Sequence, residues 1–326
     1  MISFIIGAIA LSTVFLFGCV GEIITEKAGH LNLGIPGIMC VGTAGGCYAV
    51  SIYMAALSDP TKASWILLVL LSILFAVLFA AALGGIYGIL TVSLRCNQNI
   101  TGLAVTIFGN GFAQFFMDTC VLRSDADRAN FEIAGKIISR GLPFADSLGT
   151  FGKIFLSRGI LVYLAIAIAI LAAWFLKKTR AGLHLRAVGE NPATADAAGI
   201  NVTAYKYGAI LVGSGIAGLG GFFYIMDYIK GSWENASTIE AFGWLAIALV
   251  IFVLWKPNVG ILGAFLFGAC YIVAFVIPNI TPTQREIIKM LPYVVTIVVL
   301  VLTSIRKKRE HQPPASLGLP YFREDR

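Results

Sequence analysis

Residues Ala63–Leu94 read ASWILLVLLSILFAVLFAAALGGIYGILTVSL, without one charged side chain. Crossing the hydrocarbon core of a bilayer takes about 20 apolar residues in a helix. This run is longer than that, so it is expected to tilt, or to break at Gly84–Gly85. Six more runs carry no charge: Met1–Gly21, Ala28–Ser58, Cys96–Met117, Gly159–Leu176, Tyr207–Met226 and Pro257–Gln284. A soluble domain is about a quarter charged. Here charged residues make up 13% and hydrophobic residues 58%, with a mean hydropathy of +0.85. The expected fold class is an all-α polytopic membrane protein of about 8–10 transmembrane helices. The spans fall at 3–21, 33–56, 64–94, 100–119, 159–177, 205–227, 239–255, 258–278 and 288–305. Met1–Gly21 has no basic n-region and further spans follow at once, so it reads as the first span and not as a signal peptide.

The net charge of +7 has a local cause. Basic residues gather at Lys177, Lys178, Arg180, Arg186, Lys206 and Arg306–Arg309, as in loops kept in the cytoplasm. Nucleic acid is therefore not the expected partner. With these loops inside, residues 1–305 form the transmembrane domain with an outside N-terminus. Residues 120–158 then make an extracellular loop with a surface-lying helix, and 306–326 a cytoplasmic tail. The cysteines (Cys19, Cys40, Cys47, Cys96, Cys120, Cys270) form no CxxC or Cys/His pattern, so neither a metal site nor a disulfide framework is expected.

The one long polar segment between apolar ones is Arg186–Val202, RAVGENPATADAAGINV. It reads as a short helix marked at both ends: Asn191 suits the N-cap, Pro192 the first helical position, and Gly199 the left-handed closing residue. Ala193, Ala195, Ala197 and Ala198 would let another surface approach closely. The plain alternative is a connector that caps itself in solvent.

An internal repeat is visible. Asn32-Leu-Gly34-Ile-Pro-Gly37 followed by Gly42 matches Asn258-Val-Gly260-Ile-Leu-Gly263 followed by Gly268, each opening a span. Such glycines let helix backbones approach closely, and internal repeats build many transporters. Small residues also run through Gly84–Gly88 and Gly213–Gly221, as tight helix packing or as the wall of a path.

Polar groups inside spans are costly and face a cavity or a partner helix. The candidates are Asn32, Asn97, Asn99, Thr101, Thr106, Asn110, Gln114, Ser214 and Tyr224, with Gly34 and Gly37 shaping the wall. They are neutral, which suits a neutral polar solute. Glu22, Glu26, Asp227, Glu234 and Glu240 fall near expected span ends, where solvation is the default, and His30, His184 and His311 fall in loops or the tail. A proton-coupled carrier needs a buried carboxylate or histidine, and none is expected. No catalytic set is visible. A phosphate-cradling loop needs G-x-x-x-x-G-K-[ST]; the one Lys followed by Ser or Thr, Lys178-Thr179, has no glycine before it. ATP-Mg would have to bind a separate subunit, and this chain is expected to hold no cofactor.

Three stretches carry a family resemblance: GEIITEKAGHLNLGIPGIM at 21–39, RAVGENPATADAAGINV at 186–202 and QPPASLGLPYFREDR at 312–326. The chain resembles permease subunits of bacterial ABC importers in the branched-chain amino acid/ribose group, nearest to the nucleoside and simple-sugar branch. The tail resembles that of the shorter of two paired permeases working with a basic-membrane-protein-type binding lipoprotein. Pro36 and His30 stand where an acidic and an apolar residue are more usual.

The resemblance implies a subunit of the bacterial cytoplasmic membrane that forms half of a pathway for nucleosides. A second, homologous permease would complete a heterodimer. Gly189, Glu190, Asn191, Pro192, Ala195 and Gly199 would dock in a groove of the ATPase. Asn32–Gly37 would be a broken or tightly packed helix near the path. Ribose or galactose, or branched-chain amino acids, are the alternatives within this class. Outside it stand an ion-coupled secondary transporter and, less supported by the residues, a membrane enzyme.

Overall fold

The computed structural model describes residues 2–141, 149–278, 281–306 and 312–322. The described residues are helical with no strand. The helices are α1 (Ile2–Lys27), α2 (Ile35–Ala55), α3 (Trp65–Gly88), α4 (Gln98–Phe116), α5 (Asp125–Ile138), the single turn α6 (Gly149–Phe151), α7 (Ile160–Lys178), α8 (Arg180–Glu190), α9 (Pro192–Ala197), α10 (Val202–Phe223), α11 (Ala236–Phe252), α12 (Pro257–Val276), α13 (Pro282–Lys289) and α14 (Leu291–Arg306). Helices α3, α4 and α10 run on into π turns at Ile89–Ser93, Met117–Val121 and Tyr224–Tyr228.

Among the described residues, seven helices (α1, α2, α3, α4, α7, α10, α12) are long and apolar enough to cross a membrane. The chain is a multi-pass membrane protein. Of the two remaining expected spans, α11 has 17 residues, under the length a perpendicular crossing needs, and α14 has 16 described residues, up to the edge of the described segment. The expected break at Gly84–Gly85 does not occur. There α3 continues unbroken, because Gly84 lies against Ser214 of α10 and lets the two helices close together.

Helices α1, α2 and α10 are the inner layer. Most of their apolar stretch is buried inside the protein, 67%, 83% and 83%, against 33–39% for α3, α4, α7 and α12, which form the outer layer. The layer is held by backbone contact. Gly21 of α1 meets Gly213 of α10, Gly42 of α2 meets Gly218 of α10, and Gly37 of α2 meets Gly109 of α4. At each crossing a side chain in place of the hydrogen would strike main-chain atoms. Gly213–Gly221 is thus packing surface, the plainer of its two readings.

The two repeat copies, which open α2 and α12, start at the same end of α1. Asn32 donates its N–H to Glu22, and Trp255, just before α12, donates to Glu26. Both copies therefore run the same way. Their partners differ: Gly42 packs on α10, Gly268 on Ala8 and Ser12 of α1.

One face of the bundle, called here the Lys27 face, collects the α1–α2 loop, the start of α4, α8–α9, the α11–α12 turn and residues 312–322. The opposite face carries α5, whose capping box at Ser124 and Asp127 starts an amphipathic helix burying Phe131, Ala134 and Ile138. This is the helix expected in 120–158; residues 142–148 of that loop lie outside the described residues.

Candidate coupling loop and polar lining

The loop from α7 to α10 is built by successive caps. Thr179 Oγ1 accepts from Gly182 N at 2.9 Å and starts α8. Asn191 Oδ1 accepts from Thr194 N at 3.0 Å and starts α9, with Pro192 at its first position. Gly199 closes it with φ +82°, while Gly199 N and Ile200 N donate to Asp196 O (2.9 Å) and Ala195 O (3.0 Å). Asn201 Oδ1 then accepts from Ala204 N at 3.0 Å and starts α10. Four caps in 23 residues leave the loop little freedom. Ala195, Val188 and Val202 form a small apolar cluster that seats α9 on the bundle. Glu190, Asn191, Thr194, Ala197, Ala198 and Gly199 are exposed and Pro192 is half-buried.

Gly189 does something else. It is buried, and a Cβ there would strike Lys27 O at the end of α1. Of the six residues named from sequence, Gly189 and Ala195 thus face their own chain; the other four lie at the accessible edge.

The polar candidates separate into groups. Thr106, Asn110 and Gln114 recur every four residues, on one face of α4. Thr106 Oγ1 donates to Leu33 O at 2.8 Å, and Asn110 Nδ2 donates to Glu240. Gln114 Oε1 accepts from Ala236 N, the first N–H of α11, at 2.9 Å, and its amide donates to Asp118 at 2.7 Å. Gly34 and Gly37 abut the same stripe, against Val105 and Thr106. Asn32 is buried beside it; its Oδ1 accepts from Gly34 N at 2.9 Å and its Nδ2 has no partner among the described residues. Asn99 stands apart, exposed in the first turn of α4 next to the capping Asn97. Ser214 is also apart, buried at the α3–α10 contact.

The chain matches, over residues 4–300, the protein family described as branched-chain amino acid transport system / permease component. The chain belongs to this family. Among relatives of this permease, the nucleoside ABC transporter permease protein NupC of Lactococcus lactis is 33% identical, with 89% of each chain covered. TsgC13 of Haloferax volcanii, a permease named for glucose, is 32% identical over 79% of this chain and 72% of its own. The guanosine ABC transporter permease protein NupQ of Bacillus subtilis is 29% identical over 94% and 92%. No solved structure matches.

Three groups of this permease contradict the sequence reading, which left no carboxylate or histidine buried. Glu22 and Glu26 are 0% and 3% exposed, because α1 runs six residues past Gly21. Each carboxylate meets an N–H donor, Asn32 N at 2.9 Å for Glu22 and the Trp255 indole for Glu26. Leu254 and Trp255 hold φ of +55° and +56°, a strained turn that aims the indole at Glu26. His30, read as a loop residue, is 1% exposed. Burial, with the Lys206 ammonium nearby, pushes its pKa down to about 3, so the ring is neutral. Glu240 lies near the start of α11 as expected, half-buried, and accepts from Asn110 and from Trp244 Nε1 (3.4 Å). The signal was available, since Glu22 and Glu26 are spaced i, i+4 and share one helix face.

Proposed function

We propose that this permease is the membrane-spanning subunit of an ATP-binding-cassette importer for nucleosides, in the bacterial cytoplasmic membrane. The observation that carries the reading is α9, a short helix locked at both ends, seated by Ala195 and presenting a polar edge to the outside. Such an element suits docking into a groove of an ATPase, whose closure would then move the bundle as a packed body. On this reading the Lys27 face is cytoplasmic. ATP-Mg is held and hydrolysed by the partner, this chain does transport and no catalysis, a homologous permease completes the path, and a binding lipoprotein delivers the solute to the α5 face. The neutral amides and hydroxyl of α4 suit an uncharged polar solute, and the relatives NupC and NupQ bear nucleoside names. Sugars are the second reading, favoured by the relative named for glucose.

The test is purification from native membranes, then ATPase and uptake assays in lipid with binding protein and either nucleosides or hexoses. The expected result is a complex with an ATPase, stimulated by nucleoside-loaded binding protein. Ala198→Trp and Glu190→Lys should insert normally yet lower uptake about tenfold or more. Gly189→Trp is unsuited to this test, because it would collide with Lys27. Wild-type uptake in both variants at equal abundance would remove the docking assignment. A chain that purifies alone and moves solute down an ion gradient would overturn the importer.

A further inference from the structure

The tail at 312–322 has no helix or strand, yet it is pinned along its length to the Lys27 face. Ser316 donates twice to Gly189 O, from its N–H at 3.1 Å and from its hydroxyl at 2.6 Å. Tyr321 Oη donates to Asp196 Oδ2 at 2.7 Å, and its ring lies 6.0 Å from the Lys206 ammonium. Those contacts reach the last turn of α8, the body of α9 and the start of α10. On its other side the tail reaches different elements. Gly318 N donates to Gly29 O at 3.3 Å in the α1–α2 loop. Gln98 bridges Leu319 O (3.5 Å) and Leu31 N (2.8 Å), and the Arg95 guanidinium stacks 4.7 Å from the Phe322 ring.

Ordering an irregular terminal segment costs conformational entropy for every residue fixed. A tail without a role has no reason to be held at both edges. The two edges belong to the two parts of the transport reading. One edge holds the docking helix. The other holds the loop that leads into Asn32 and Leu33, whose carbonyl accepts from Thr106 in the α4 stripe. Between them, beneath Tyr321, lies a cavity of about 450 Å³ lined by His30, Thr91, Asn201 and Lys206. The cavity separates the start of α10, at Asn201 and Lys206, from His30 and Thr91, and the strap crosses over it.

We propose that Ser316–Phe322 is a transmission strap. It ties the docking helix α9 to the α1–α2 loop, so that movement of α9 pulls on the polar stripe of α2 and α4. Ser316 and Tyr321 are its positioning residues. The proposal rests on the ATPase-docking reading of α9.

The experiment uses the intact importer in lipid with binding protein and nucleoside, measuring nucleoside moved per ATP hydrolysed. The double variant Ser316→Ala/Tyr321→Phe is expected to assemble with the ATPase at wild-type yield and to hydrolyse ATP within twofold of wild type. Its nucleoside-to-ATP ratio should fall about fivefold or more. Ser316→Thr, which keeps both donors, should restore the ratio in the Tyr321→Phe background to that of Tyr321→Phe alone. Should the double variant fold poorly, Tyr321→Phe, which removes one hydroxyl, is expected to lower the ratio about twofold by itself. An unchanged ratio in the double variant would overturn the strap. Loss of the ATPase from the purified complex would also overturn it, by making the tail a docking surface instead. A wild-type chain that purifies without any ATPase would remove the docking reading beneath it.

Discussion

His30 sits in a loop by sequence and in the interior by structure, and that difference has a measurable sign. An unfolded histidine titrates near about 6.5, while the buried ring is held at about 3. Between those values the unfolded chain binds a proton that the folded chain refuses. His30 therefore makes stability fall as pH drops through that window, by up to about 1.4 kcal/mol per pH unit. His30→Gln, which cannot titrate, should lose less melting temperature than wild type between pH 7 and pH 5 in detergent. Equal losses in the two proteins would show that the ring is not buried as described. Single residues were the least legible scale in the sequence. A histidine flanked by glycine and leucine carries no mark of burial, which depends here on elements from elsewhere in the chain, among them the Tyr87 ring of α3 set edge-on 6.5 Å away.

At the scale of elements, the polar stripe of α4 doubles as a support for α11. The first N–H groups of a helix have no partner inside it, and Gln114 supplies one for Ala236. Gln114→Leu should leave that N–H unsatisfied and cost about 1–3 kcal/mol, read as a lower melting temperature with α11 protected less against hydrogen exchange. An unchanged exchange pattern would mean that α11 finds its support elsewhere. The spans themselves were legible because apolar length alone specifies them, and the caps of α9 because Asn-Pro and Gly act locally. Helix ends were legible only in part. Glu22, the first charge, suggests a terminus, but partners 10 and 229 residues away let α1 bury two acids and continue to Lys27. The tail left no periodic trace, since its contacts run through main-chain atoms and isolated side chains.

For the whole molecule, the buried carboxyls raise a question that neutral residues did not: whether protons drive transport. Both acids are engaged by N–H groups of the chain itself, which suits a structural role. Uptake by the reconstituted importer is expected to survive a protonophore and to stop when ATP is removed. Glu26→Gln, whose side-chain oxygen still accepts from Trp255, should keep at least about half of wild-type uptake. Uptake that collapses with the protonophore or with Glu26→Gln would assign the acid to the driving force.

The Glu26–Trp255 contact also orders events during synthesis. Ribosomes add about 5–20 residues per second, so the indole emerges roughly 10–50 s after the carboxylate it serves. Until then the first helix enters the membrane with an acid lacking its donor. Its final seat in the bundle becomes available only when more than three-quarters of the polypeptide has been made.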